Sequence, residues 1–277
     1  MTTKPKTQNM AVFCDFENVA LGVRDARYAA FDIQKVLERL LLKGNIVVKK
    51  AYCDWERYKE FKGTMHEAAF ELIEIPHVRL SGKNSADIRM VVDALDLCYT
   101  KAHVDTFVIV SGDSDFSALV SKLRENNKLV IGVGVKNSTS DLLIANCDEF
   151  IYYDDLVRAS GKQQRGRRKS GGAKAARKSA APVGEDKKSE EEQRQAGIDL
   201  VMDTVEDLFE ERGAEDKVWG SMVKQALKRR NPGFSESYHG FKTFGQLLEE
   251  AQQRKLLELE HDEKSGGYII KSFAHED

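Results

Sequence analysis

Three apolar runs in this 277-residue chain end at, or lead into, aspartates. The first, AVFCDFEN, sets Asp15 and Asn18 just past its apolar stretch. SGKNSADIRMVVDALD places Asp87 at the start of a helical pattern, and TFVIVSGDSDF puts Asp113 and Asp115 in the turn that follows a run of Val and Ile. If these runs are parallel strands, their carboxyl ends share one edge of the sheet, where open α/β sheets take their ligands. Carboxylates gathered within a few ångströms stay ionised together only with a cation among them. Hard oxygen donors suit Mg²⁺ or Mn²⁺ rather than Zn²⁺. Two such ions about 3.5–4 Å apart form a clamp for in-line phosphodiester displacement, one activating water and the other neutralising the leaving oxygen. On this reading Asp15, Asp87, Asp113 and Asp115 are metal ligands and catalytic residues, and Asn18 orients the water or the scissile phosphate.

Each acid alone has an ordinary use. An aspartate in the first turn of a helix is favourable by about 0.3–1 kcal/mol, which suits Asp87. Asp113 and Asp115 can cap the helix that follows them, and Asp15 can close a turn. Acids at three separate strand ends on one edge are harder to explain as caps.

The elements that must position them are read from periodicity. Apolar runs at Met10–Cys14, Ile46–Tyr52, His77–Leu80, Thr106–Val110, Leu129–Val135 and Phe150–Tyr153 predict strands. Helical spacing predicts helices over Phe31–Leu42 (Asp32 capping, Phe31 as staple), Trp55–Ile75, Ala86–Tyr99 and Phe116–Asn126. Near-continuous apolar strands alternating with helices imply a doubly wound parallel sheet, an α/β domain over residues 1–157.

Residues 158–194 change character. Nine Arg and Lys and no acid lie between Arg158 and Gly184, followed by a mixed acidic stretch to Arg194. That composition buries no core and predicts a flexible basic tether. Its RGRRK segment (Arg165, Arg167, Arg168, Lys169) is suited to neutralising phosphates and releasing counterions, although a basic linker can also serve solubility alone. From Gln195 a helical pattern resumes, with further helices expected over Val218–Arg230 and Phe244–Arg254 and a hairpin around Ser265–Gly267. Three helices and a hairpin outline a small winged helix-turn-helix domain over 195–277. Its basic helix (Lys224, Lys228, Arg229, Arg230), with Tyr238 and Lys242 beyond it, mixes cations with aromatics as phosphate contact and base stacking require; Phe241 and Phe244 are expected in the core.

Other α/β chemistries fit less well. A dinucleotide fold needs GxGxxG after its first strand, where this chain has DFENVALG, and the glycines of Gly132–Val135 lie inside a strand. A phosphatase of the haloacid-dehalogenase kind wants DxD there, and Glu17 breaks the pattern. No triad and no receiver-type Asp–Lys pair stands out. No apolar run approaches the ~20 residues that span a bilayer, and the start is polar, so the chain is expected to be cytoplasmic and unattached to membranes. Cys14, Cys53, Cys98 and Cys147 are scattered without zinc spacing and are expected as buried thiols.

AVFCDFEN, SGKNSADIRMVVDALD, VIVSGDSDFSALVSKLREN and STSDLLIANCDEFIYY together resemble the NYN domain, a LabA-like branch of the PIN-like nucleases. The resemblance covers most of residues 10–157 and implies a Mg²⁺- or Mn²⁺-dependent ribonuclease, an endonuclease by expectation, with Asp15, Asp87, Asp113 and Asp115 at the family's acidic positions and Asn18 at its polar one. Asp93 also falls in the motif; lying about 240° round the helix from Asp87, it is an outer or structural candidate. Residues 195–272, through the NPGFSESYHGFKTFGQLLE segment, resemble an OST-HTH (LOTUS) domain. That resemblance implies binding of single-stranded or structured RNA, or docking of a protein or a second copy. The alternative class is a non-catalytic RNA-binding regulator with a degenerate or structural acidic site.

Overall fold

Strand β1 (Gln8–Asp15) explains the architecture. Side chains alternate faces along a strand, and here both sets are buried. Met10, Val12 and Cys14 enter one core, whereas Ala11 and Phe13 enter the other. A strand apolar on both faces needs a cover on each. In the computed structural model, which describes residues 8–75, 85–158, 185–212, 217–262 and 266–274, helices supply both.

The first core is closed by α1 (Phe16–Asp25), α2 (Ile33–Leu41), α3 (Lys59–Glu67) and the helical stretch 153–158 (α7). In α2 the buried Ile33, Val36, Leu37 and Leu40 recur at helical spacing, and Asp32 caps its start by accepting the Gln34 N–H at 3.1 Å. The second core is closed by α4 (Ser85–Thr100), α5 (Ser117–Glu125) and α6 (Asp141–Asn146). Each fully buried Leu, Val or Phe contributes about 1.5–3 kcal/mol relative to exposure.

The other strands are β2 (Gly44–Cys53), β3 (Glu71–Glu74), β4 (Thr106–Val110), β5 (Leu129–Gly134) and β6 (Glu149–Tyr152). All pair in parallel, in the order β3-β2-β1-β4-β5-β6. The chain therefore winds outward from β1 to β3, returns to the middle, and winds out again from β4. The doubly wound α/β sheet expected from the sequence is what forms, and its direction reverses between β1 and β4. Gly132 meets the Phe150 ring, which a Cβ would approach to 2.3 Å, so that glycine is a packing feature.

The chain divides into two compact units, residues 1–168 and 169–277. In the second, α8 (Glu185–Arg212), α9 (Gly220–Arg230) and α10 (Phe244–Gln253) surround a core that includes Ile198, Val205, Leu227, Phe241 and Leu247. An antiparallel sheet of β7 (Val218–Trp219), β8 (Leu257–Asp262) and β9 (Gly267–Phe273), in the order β7-β9-β8, completes it.

Three expectations change. The helix drawn through Trp55–Ile75 stops at Glu67: Ala69 adopts φ +57 and the chain turns into β3, so Leu72 is a strand residue. The third strand lies there, whereas the expected run His77–Leu80 falls outside the described residues. The tether expected over 158–194 overlaps α8, which begins at Glu185, and its residues 159–184 lie outside the described residues; EDKKSEEEQR is rich in good helix formers and continues a helix that Ile198 and Val201 anchor. Val218–Trp219 pairs with β9 instead of opening α9. All four cysteines are buried and free. Among the described residues no helix is long and apolar enough to cross a membrane.

Candidate active site

The reversal between β1 and β4 opens a crevice at their carboxyl ends, and Asp15 ends β1 there. Its position is set from both sides. Oδ1 accepts the Asn18 N–H at 3.3 Å, capping α1, and Oδ2 accepts the Ser111 hydroxyl at 3.0 Å, one residue past β4. The side chain is buried. Burial, then the charges of Asp87 and, less, Asp113, outweigh these two hydrogen bonds and push its carboxyl up to about 7.

Asp113 follows β4 by three residues. Its N–H donates to Ser111 Oγ at 3.2 Å, and its Oδ1 accepts the Asp115 N–H at 3.0 Å, capping the short turn Ser114–Phe116. It is thus a cap, the ordinary role open to it, yet its charge still reaches Asp15 and Asp87. Asp115 is exposed at the rim. Asp87 is half-buried in the first turn of α4; burial, then the charges of Asp113, Asp115 and Glu17, push it up to about 6. Acids from three segments of the sequence therefore share one edge, where Asp15 and Asp87 are raised by the charges around them.

Asn18 stands in the first turn of α1, three residues past Asp15. Its Oδ1 accepts the Gly112 N–H at 2.8 Å, tying α1 to the loop after β4. It braces the two loops. Asp93 is taken up by other partners: Oδ2 accepts from Tyr52 Oη at 2.9 Å and pairs with Lys50 at 3.4 Å, and Oδ1 pairs with Arg89 at 3.1 Å. It anchors α4 to β2, a structural part.

Two residues escaped the sequence reading. Ser111 links Asp15 to Asp113, and Glu17 adds a fifth acid to the edge while pairing with Arg57 at 3.0 Å. Neither carries a spacing signal: a serine before Gly112 is an ordinary turn residue, and Glu17 registered only as a broken DxD.

Gly112 makes this approach geometrically possible. A Cβ there would lie 2.4 Å from the Ser138 carbonyl oxygen and 3.0 Å from Thr139 Cα, both backbone atoms. We expect Gly112→Ala to destabilise the first unit by about 1–3 kcal/mol, the range for forced overpacking. Urea unfolding of the purified chain measures this, and an unchanged midpoint would show that the loop yields freely.

The donor set fits a hard divalent cation. Its members are carboxylate oxygens, and the two most shifted acids, Asp15 and Asp87, are each raised partly by neighbouring carboxylates, a penalty that a cation offsets. Among the described residues no three His, Cys, Asp or Glu side chains stand close enough together to hold an ion as they are placed. A shallow depression of about 500 Å³, lined by Asp105, Arg124, Asn127, Lys128, Leu129 and Asp148, lies at the opposite, amino edge of the sheet.

The NYN domain family matches residues 9–154, more than half of the chain and all six strands of this sheet. This protein belongs to the NYN domain family. Meiosis regulator and mRNA stability factor 1 of Xenopus tropicalis is 27% identical over 148 residues, covering 53% of this chain and 9% of that protein. The protein of the same name from Bos taurus is 26% identical, covering 53% and 8%. This chain therefore spans less than a tenth of the length of those two relatives. An uncharacterised protein of Methanocaldococcus jannaschii is 28% identical over 112 residues, covering 40% of this chain and 43% of its own. A solved structure, a protein of unknown function from Vibrio parahaemolyticus, shares 28% identity with a TM-score of 0.49, over 56% of this chain and 98% of its own. The NYN match contains every acid of the edge and ends before the second unit. Membership of this family supports a nuclease or RNA-related function.

In the second unit, Lys224 pairs with Glu236 at 2.6 Å and stands over the Phe244 ring at 5.7 Å, while Arg230 pairs with Asp207. Lys228 contributes to holding the Glu236 carboxyl below its usual range, behind Lys224, although burial opposes both. Arg229 and Lys242 are exposed, and Tyr238 is half-buried edge-on to His239 at 5.0 Å. Phe241 and Phe244 are core, as expected. Arg165, Arg167, Arg168 and Lys169 lie outside the described residues.

Proposed function

We propose that this NYN protein is a ribonuclease that hydrolyses RNA phosphodiesters with the help of Mg²⁺ or Mn²⁺. One observation carries the reading: at the strand-order reversal, acids from segments far apart in sequence act on one another, Asp87 and Asp113 raising Asp15, and Asp113 and Asp115 raising Asp87. These four aspartates would hold the ions. When bound, a pair of such ions supplies an activated water and a counter-charge for the leaving oxygen. The chain's own contribution is placement. Ser111 and the Asn18 N–H hold Asp15, the Asp115 N–H holds Asp113, and Asn18 Oδ1 fixes Gly112 between them. The mRNA-directed name of the two vertebrate relatives is consistent with RNA as substrate.

For the second unit we propose an OST-HTH (LOTUS) winged helix that retains RNA, supported by its three helices and antiparallel hairpin. An acidic edge repels a polyanion, so attraction must come from elsewhere. Arg229, Lys242 and the basic run 165–169 are its candidates in this part of the chain, whereas Lys224 and Arg230 are already in ion pairs.

The test is cleavage of matched ribo- and deoxyribo-oligonucleotides with Mn²⁺, then after chelation. Loss of the ribo-oligonucleotide alone, abolished by EDTA, is expected; equal loss of both strands would make the protein a DNA nuclease as well. A second reading, a regulator that binds RNA without cutting it, is favoured by one fact: no three acids of the described residues are arrayed to hold an ion. RNA binding with no cleavage under Mn²⁺ would select it.

A further inference from the structure

Arg57, in the turn after β2, lies on the acidic edge and has no part in the chemistry above. Its Nη1 donates to Glu17 Oε1 at 3.0 Å, with side-chain exposures of 52% and 36%. Glu17 stands two residues beyond Asp15 in the first turn of α1, and its charge reaches Asp87. The arginine is thus one ion pair removed from the acids that would meet the scissile phosphate.

The turn that presents it is firmly built. Trp55 is buried; its indole N–H donates to the Ile73 carbonyl at 3.2 Å, and its backbone N–H to Glu74 Oε1 at 3.0 Å. Asp54 accepts the Glu56 N–H on its carboxylate at 3.1 Å and the Arg57 N–H on its carbonyl at 3.0 Å. Tyr58 then packs edge-on against buried Phe16 at 5.6 Å. A cation on a turn pinned at both sides keeps its place when its partner changes.

We propose that Arg57 is the substrate-phosphate clamp of this edge, held by Glu17 until RNA arrives. This rests on the nuclease reading of the same site. A half-exposed ion pair has little net worth, so exchanging the Glu17 carboxylate for a phosphate costs little. The guanidinium fork matches phosphate oxygens in a bidentate way that an ammonium does not. The clamp also supplies attraction at an edge whose acids otherwise repel the backbone.

The test is equilibrium binding of a fluorescein-labelled ten-nucleotide oligoribonucleotide to the full chain carrying Asp113→Asn, which stops cleavage, across a range of KCl concentrations. Adding Arg57→Gln is expected to weaken binding about tenfold, the scale of one charged hydrogen-bonded contact. The slope of log affinity against log salt should fall by about 0.7, one phosphate contact on a single strand. Arg57→Lys should restore the slope but only part of the affinity. Glu17→Gln, which frees the guanidinium, should tighten binding severalfold. An Arg57→Gln chain within twofold of its parent with an unchanged slope would overturn the clamp, as would weaker binding by Glu17→Gln or no binding by the Asp113→Asn chain. Cleavage by the parent chain judges the nuclease reading separately.

Discussion

Asp113→Asn is expected to lower Mn²⁺-dependent cleavage of single-stranded RNA about a thousandfold or more, with the fold intact. The asparagine keeps the Oδ1 that accepts the Asp115 N–H, so the turn over Ser114–Phe116 stays capped. What disappears is the negative charge facing Asp15 and Asp87. A thousandfold loss is about 4 kcal/mol of transition-state stabilisation, the scale of removing a preorganised electrostatic partner. Asp113→Ala should lose the same activity and a further ~1 kcal/mol of stability with the cap. Initial rates with a labelled oligoribonucleotide, beside urea unfolding of each variant, separate charge from cap. A loss of tenfold or less from Asp113→Asn would remove this aspartate from the reacting centre.

Asp15→Asn should make the metal-free protein more stable at pH 8 while abolishing its activity. The Asp15 carboxyl titrates near 3.8 when unconstrained and at about 7 in the fold, chiefly because it is buried. Between those values the folded protein keeps a proton that the unfolded chain has lost. Stability therefore falls as pH rises through this window, and above pH 7 the whole penalty is present. It amounts to roughly 4 kcal/mol. Asp87, raised to about 6, adds a smaller fall in the same direction. An asparagine has no charge to bury and still accepts the Asn18 N–H. Unfolding midpoints in EDTA at pH 4.5 and pH 8 measure this: the variant gains on its parent at the higher pH and not at the lower. A variant less stable than the parent at pH 8 would mean that the Asp15 charge is already compensated. Adding Mn²⁺ at pH 8 should stabilise the parent and leave the variant nearly unmoved.

The sheet could be read from the sequence because a strand covered on both faces leaves an unmistakable run, as Met10–Cys14 and Thr106–Val110 do. The acids could be read for a related reason: in a parallel sheet every strand end faces one edge, so a residue's place after its strand is already a coordinate. Partners that depend on the other side of the crevice were hidden. Ser111 reaches Asp15 across 96 positions and Arg57 reaches Glu17 across 40, and no local pattern encodes either. The end of α3 at Glu67 was missed because Met65, Ala69 and Leu72 keep helical spacing through a turn that one positive φ at Ala69 makes. In the second unit the helices were legible, but which cations face solvent was not. Glu236 and Asp207 lie far along the chain from, or across a turn to, the Lys224 and Arg230 they neutralise.

The most direct test of the shared acidic site is to locate Mn²⁺ by its anomalous scattering in crystals of the protein. A peak is expected among the carboxylates of Asp15, Asp87 and Asp113, and it should vanish in Asp15→Asn crystals. Manganese bound elsewhere, with none at this edge in a protein that cleaves RNA, would contradict it.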